Sequence, residues 1–205
     1  FICDWKNFNK LEESVIKNVN KNLMVIHPSI LLSVTDRPDL HLKASKIYIN
    51  KNFKNINNNK TLELKIDAKI NIGYFSSDFY DHATLRLMMD VFKYHDKSKF
   101  KIFGFSCGPK KNDGHTQKLK TYLNNYFYVG DMDLDQIHTL CKKNNIHIAI
   151  DLKGYTKDNQ IDIFQKRVAP IQISYLGYPG TTGIKDIDYI IADKIIIPKE
   201  NYKFY

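Results

Sequence analysis

The stretch FSSDFYDHAT, residues 75–84, gathers Ser76, Ser77, Asp78, Asp81, His82 and Thr84 where a strand-like apolar run gives way to a helical pattern. A helix start presents unpaired N–H groups and a positive partial charge, so a phosphate or a sugar oxygen can be held there. A simple helix cap accounts for Asp81 or Thr84 and leaves His82 unexplained. An imidazole at such a place can give or take a proton near neutral pH, and a nearby carboxylate can orient it. A second stretch, LGYPGTTG at 176–183, sets Gly177, Pro179, Gly180 and Gly183 between two apolar runs. Glycine lets a ligand approach the main chain with no Cβ in the way, and Pro179 stiffens the turn between such positions. A third polar stretch, DLKGYTKDNQ at 151–160, follows another apolar run.

These stretches need elements that bring them to one place. Short β-branched or aromatic runs predict strands over 69–76, 99–107, 126–130, 146–152, 170–177 and 188–193. Helical spacing recurs between them, with Leu85, Met88, Met89 and Phe92 on one face and Leu134, Ile137, Leu140 and Cys141 on another. Strands that are apolar nearly throughout suit a parallel sheet covered by helices on both faces, a doubly wound α/β unit. Ligands in such units bind beyond the carboxyl ends of the strands, near a switch in strand order. Upstream, Phe8, Leu11, Val15, Val19 and Leu23 mark a helix over 8–24 that Pro28 is expected to stop, and a further helix starts near Pro38. The expected organisation is a helical entry segment over 1–50, an Asn- and Lys-rich connector over 51–68 and a Rossmann-like domain over 69–205.

Composition excludes several classes. The 205 residues, 43% of them apolar, can build a substantial core. Much of the net charge of +9, from 31 basic and 22 acidic residues, sits in the Lys- and Asn-rich stretch 43–69, which reads as solvated, and no nucleic-acid recognition motif accompanies it. Salt-dependent nucleic-acid binding therefore rests on charge alone. Cys3, Cys107 and Cys141 are odd in number and form no CxxC pair, which fits a reducing cytoplasm and gives no zinc site. No apolar run is long enough to span a membrane. Neither GxGxxG, GxxxxGK[ST] nor GxSxG occurs, so a dinucleotide-binding Rossmann domain, a P-loop enzyme and an α/β-hydrolase are all unsupported, and no cofactor or metal is expected.

The phrases IGYFSSDFYDHAT, IDLKGYT, RVAPIQISYLGYPGTTG and IDYIIAD, in this order, together with CDW at Cys3 to Trp5, closely resemble the amino-terminal catalytic half of the O-linked N-acetylglucosamine transferase and SPINDLY family. The resemblance implies one half of a two-Rossmann (GT-B) glycosyltransferase that works without metal and moves a sugar from a nucleotide donor, such as UDP-N-acetylglucosamine, to Ser or Thr of a protein acceptor with inversion. It implies that His82 lies in the donor-sugar pocket as a proton-transfer or positioning residue, with Asp78 as its supporting carboxylate. Thr84, Leu176 and Gly177 would line the same pocket, and Pro179, Gly180 and Thr181 would shape the loop over the sugar. Fucose as the donor sugar, and a non-catalytic α/β binding module, remain alternatives. Ser29 and His27 in HPSIL depart from the histidine that animal members carry near there, and Ala83 stands where those members have proline. The sequence starts at Phe1 and stops within NYKFY, so it reads as cut at both ends. The implied fragment lacks the nucleotide-gripping half and is expected to be inactive alone.

Overall fold

A computed structural model of the chain describes residues 5–53, 62–63 and 68–205. Cys3 and most of the 51–68 connector lie outside the described residues. The chain forms two compact units. The first comprises the described residues up to 53 with Pro179–Ile184 and Asp193–Tyr205, and the second comprises the described residues from 62 to Tyr178 with Lys185–Ala192.

In the first unit, α1 (Phe8–Asn20), α2 (Pro28–Leu31) and α3 (Pro38–Asn52) enclose a core of Val15, Val19, Leu31, Leu40 and Ala44. The predicted helix over 8–24 ends earlier than its apolar spacing suggests. Asn22 adopts φ 60°, and the Leu23 N–H reaches back to the Asn18 carbonyl, a left-handed helix terminus that leaves Leu23 exposed. Pro28 does not stop α1; it opens α2, where its missing N–H is no loss, and His27 caps that helix by accepting from the Ser29 N–H. Within this unit the Ser45 hydroxyl of α3 donates to the Thr181 carbonyl at 2.9 Å.

The second unit carries six parallel strands: β1 (Ile70–Ser76), β2 (Phe100–Ser106), β3 (Asn125–Tyr128), β4 (Ile148–Asp151), β5 (Ile171–Tyr175) and β6 (Tyr189–Ile191). Each falls within the corresponding predicted run or overlaps it closely. Their spatial order is β3-β2-β1-β4-β5-β6, a Rossmann-like sheet. Helices α4 (Ala83–Tyr94) and α5 (Gly114–Tyr122) pack Leu85, Met88, Phe92 and Leu119 against Ile72, Tyr74, Ile102 and Ile150. On the other face α6 (Leu134–Lys143) and α7 (Asp162–Gln165) bring Ile137, Cys141, Ile163 and Phe164 against Phe75, Phe103, Phe105 and Ala149. Both faces are thus buried, which is why β1, β2 and β4 have so little polar alternation.

Because the chain moves outward from β1 to β3 and then returns to pair β4 with the other side of β1, the order reverses between β1 and β4. In sheets of this kind the crossovers diverge at such a point, and ligands bind beyond the strand exits there. At the opposite end of the sheet the APIQ phrase has a structural use. Gln172 accepts from the Val168 N–H and donates to the Phe164 and Asp186 carbonyls, while Arg167 forks onto Asp188. This network sets the entry to β5 and lies away from the strand exits.

Candidate functional site at the strand switch

The exits of β1 and β4 meet through a buried ion pair. Lys153 Nζ lies 2.7 Å from Asp78 Oδ2, and the side chains are 9% and 7% exposed. A charge pair so withdrawn from water survives only if its geometry repays the desolvation of both ions. Two further groups face the same carboxylate oxygen. The Thr84 hydroxyl donates to it at 3.4 Å, and His82 Nδ1 stands 3.5 Å away. Asp78, His82 and Thr84 are therefore together at the switch point, as the sequence suggested, and the strand exit keeps the imidazole partly open to solvent.

His82 is itself the cap of α4. Its Nδ1 accepts from the Thr84 N–H at 3.2 Å, and the helix proper begins at Ala83. Asp81, the alternative cap, instead forms an ion pair with Arg86 at 2.7 Å. A ring nitrogen that accepts a hydrogen bond carries no proton, so the neutral ring holds its proton on Nε2. In this arrangement the other ring nitrogen of His82 is a donor.

Lys153 was not among the residues singled out from the sequence, and the β4 exit explains how it is held. Asp151 accepts from the backbone N–H of Lys153 at 2.8 Å and of Gly154 at 2.9 Å, folding the chain tightly after the strand. Gly154 has φ +51°, and a Cβ there would come within 2.4 Å of Tyr178 Cβ. Tyr178 in turn packs edge-on to Tyr155, with ring centroids 5.4 Å apart. The available signal was a lysine two residues after the aspartate that ends the apolar run, in IAIDLKGY.

Burial pushes the Asp151 carboxyl up to about 6, with the two backbone N–H bonds and the Lys153 charge opposing it. Unfolded, it titrates near its ordinary 3.8. Between those values the folded chain holds the extra proton, so this group's contribution is whole below 3.8 and is lost as pH rises through 6. Asp151→Asn is expected to remove that dependence. The stability difference between wild type and variant should drift by up to ~3 kcal/mol between acid and neutral pH, as read by urea unfolding. A constant difference would contradict this account.

The β5 exit lies against the β4 exit. A Cβ on Gly177 would sit 2.0 Å from the Leu152 carbonyl oxygen and 3.2 Å from Lys153 Cα. The Gly177 N–H donates to the Tyr175 carbonyl, closing a three-residue turn whose central residue, Leu176, has φ 67° and is 39% exposed. A branched residue in that region is strained, and such strain gathers at functional sites. Pro179, Gly180 and Thr181 belong to the helical unit, where Gly180 and Thr181 are buried. A small cavity beside the ion pair is lined by Ser76, Ser77, Cys107, Asp151, Lys153 and Gln160 among others; His82, Thr84, Leu176 and Gly177 do not line it. Among the described residues no cluster of His, Cys, Asp or Glu could hold a metal ion, and no helix is long and apolar enough to cross a membrane.

Residues 2–205 match the family model of glycosyl transferase family 41. The chain is 35% identical to the probable UDP-N-acetylglucosamine--peptide N-acetylglucosaminyltransferase SEC of Arabidopsis thaliana over 67% of its length and 14% of that protein's. It is 31% identical to the UDP-N-acetylglucosamine--peptide N-acetylglucosaminyltransferase of Caenorhabditis elegans, covering 96% of this chain and 18% of that one. The chain thus spans less than a fifth of the length of these relatives. In fold it is similar to a mutant of the Thermobaculum terrenum O-GlcNAc transferase, with a TM-score of 0.77 and 18% identity over 95% of this chain and 40% of that one. A family match over nearly every residue, on a Rossmann-like sheet with a polar cluster at its switch point, leads to one conclusion: the chain belongs to glycosyl transferase family 41.

Proposed function

We propose that this chain supplies the sugar-facing half of a protein O-glycosyltransferase that moves N-acetylglucosamine from its UDP donor to a Ser or Thr hydroxyl of a protein. The observation that carries this reading is the group formed by His82, Asp78, Thr84 and Lys153 at the strand switch of a family 41 sheet. Transfer with inversion needs the acceptor hydroxyl to attack opposite the leaving diphosphate, and it needs donors where oxygen gains charge. His82, with its proton on Nε2, offers such a donor to a sugar or phosphate oxygen. On this reading the turn at Leu176 and Gly177, at the β5 exit, would face the sugar with main chain. The free, buried thiols of Cys107 and Cys141 suit work in the reducing cytoplasm.

The full-length protein containing this chain is expected to glycosylate protein substrates with UDP-N-acetylglucosamine. His82→Ala is expected to lower kcat/KM for the donor by about 10- to 100-fold, the worth of one hydrogen bond to a charged or developing oxyanion. A far greater loss confined to kcat would instead mark His82 as a base, since general-base catalysis contributes roughly 10²- to 10⁴-fold. Unchanged steady-state kinetics in the variant would remove His82 from the pocket altogether.

A further inference from the structure

We propose that Lys153 is a positioning residue that keeps the proton of His82 on Nε2. It acts through Asp78, on which Lys153 Nζ and His82 Nδ1 both bear at a single oxygen, at 2.7 Å and 3.5 Å. The lysine holds the bond, and the imidazole is left to accept from the Thr84 N–H. Its other nitrogen then donates a hydrogen bond to whatever occupies the pocket.

Removing the ammonium group changes this balance. Asp78 would be a nearly buried carboxylate whose remaining neighbours are the Thr84 hydroxyl at 3.4 Å and the imidazole. A buried carboxylate without a cation takes the strongest donor in reach, and an approach of under ~1 Å would bring His82 Nδ1 to the length of a charge-assisted bond. For the neutral ring that requires a proton to enter at Nδ1 from solvent while one leaves Nε2 to solvent. Nε2 is then an acceptor, and the same histidine would accept a hydrogen bond from a ligand instead of donating one. The other charged groups near the cap are engaged elsewhere, Asp81 with Arg86 and Lys111 over the Tyr80 ring. Lys153 itself is held by the turn that Asp151 closes and by the close approach of Gly177. A lysine that served only to fill the fold would not need to end on the one oxygen that His82 also faces.

The inference rests on the donor-pocket reading for its meaning in sugar transfer, but its test does not. Two-bond proton–nitrogen NMR correlation on the ¹⁵N-labelled chain, under mildly alkaline conditions where an imidazole is neutral, reports which nitrogen of His82 is protonated. Wild type and Lys153→Arg are expected to show protonated Nε2. Lys153→Met is expected to show protonated Nδ1, and Lys153→Met with Asp78→Asn is expected to return to Nε2. Protonated Nδ1 in the wild type overturns the proposal, and that spectrum needs no variant to fold. So does protonated Nε2 in a folded Lys153→Met variant, or protonated Nδ1 in the double variant. If the tautomers behave as expected but UDP-N-acetylglucosamine leaves the His82 signals of the full-length protein unmoved, the Lys153 assignment is supported and the donor-pocket reading is the part that fails.

Discussion

Lys153→Met is expected to destabilise the chain by about 3–5 kcal/mol, because it strands Asp78 as an unpaired charge that is 7% exposed. Against the roughly 5–15 kcal/mol by which a domain is usually stable, that is a large part of the whole. Lys153→Met combined with Asp78→Leu is expected to recover most of the loss, since a buried ion pair replaced by apolar side chains of similar volume is often close to neutral. Lys153→Arg should fall between, as its larger planar head must fit where a point charge was held. Urea midpoints for the three variants check this. A loss below about 1 kcal/mol for Lys153→Met, or a double variant no better than the single, would mean that the pair is solvated and its charges independent. The pattern matters for function, because a clamp that is neutral as a pair yet costly to break has its use in specifying an arrangement. Here the arrangement includes a histidine.

Much of the fold was legible because its signals are local. The runs that became β1, β2 and β4 are dense in Ile, Phe and Tyr, and a sheet buried on both faces leaves no alternation to confuse the reading. Helix α5, by contrast, buries only Thr116 and Leu119, so GHTQKLKTY carries too little apolar periodicity to stand out. Pro28 misled because the same ring that ends a helix also suits its first turn, and what ended α1 was the left-handed Asn22. In the site, Asp78, His82 and Thr84 lie within seven residues of one strand exit, where His82 stood out among the residue types and the family resemblance implied the roles of Asp78 and Thr84. Lys153 lies 75 residues from Asp78, and lysine is so often a surface residue that only the pairing of β1 with β4 exposes its role. The specific phrases also divide by use. SSDFYDHAT stands at the strand exits, whereas Gln172 of APIQ and Asp188 of IDYIIAD bracket the opposite end of the sheet.

Gly177→Ala is expected to cost about 3 kcal/mol or more, and the reason differs from the one its sequence context offers. Glycine in a bare turn suggests a positive φ or room for a ligand, yet the positive φ falls on Leu176, and the space beside Gly177 is filled by the chain's own β4 exit. A methyl group 2.0 Å from the Leu152 carbonyl oxygen meets the main chain of Leu152 and Lys153, so no side-chain rotation relieves it and two strand exits must part. Leu176→Gly carries the opposite expectation for the backbone, a relief of about 1 kcal/mol from removing the left-handed penalty, set against the loss of a side chain already 39% exposed. Unfolding of the two variants side by side tests both. A near-neutral Gly177→Ala would show that the β4 and β5 exits are not in contact, and with it would go the support that holds Lys153 against Asp78. A destabilised Gly177→Ala in which His82 also changes its protonated nitrogen would tie the bare loop to the chemistry through the lysine, and main-chain contact with the sugar would no longer be needed to explain the glycine.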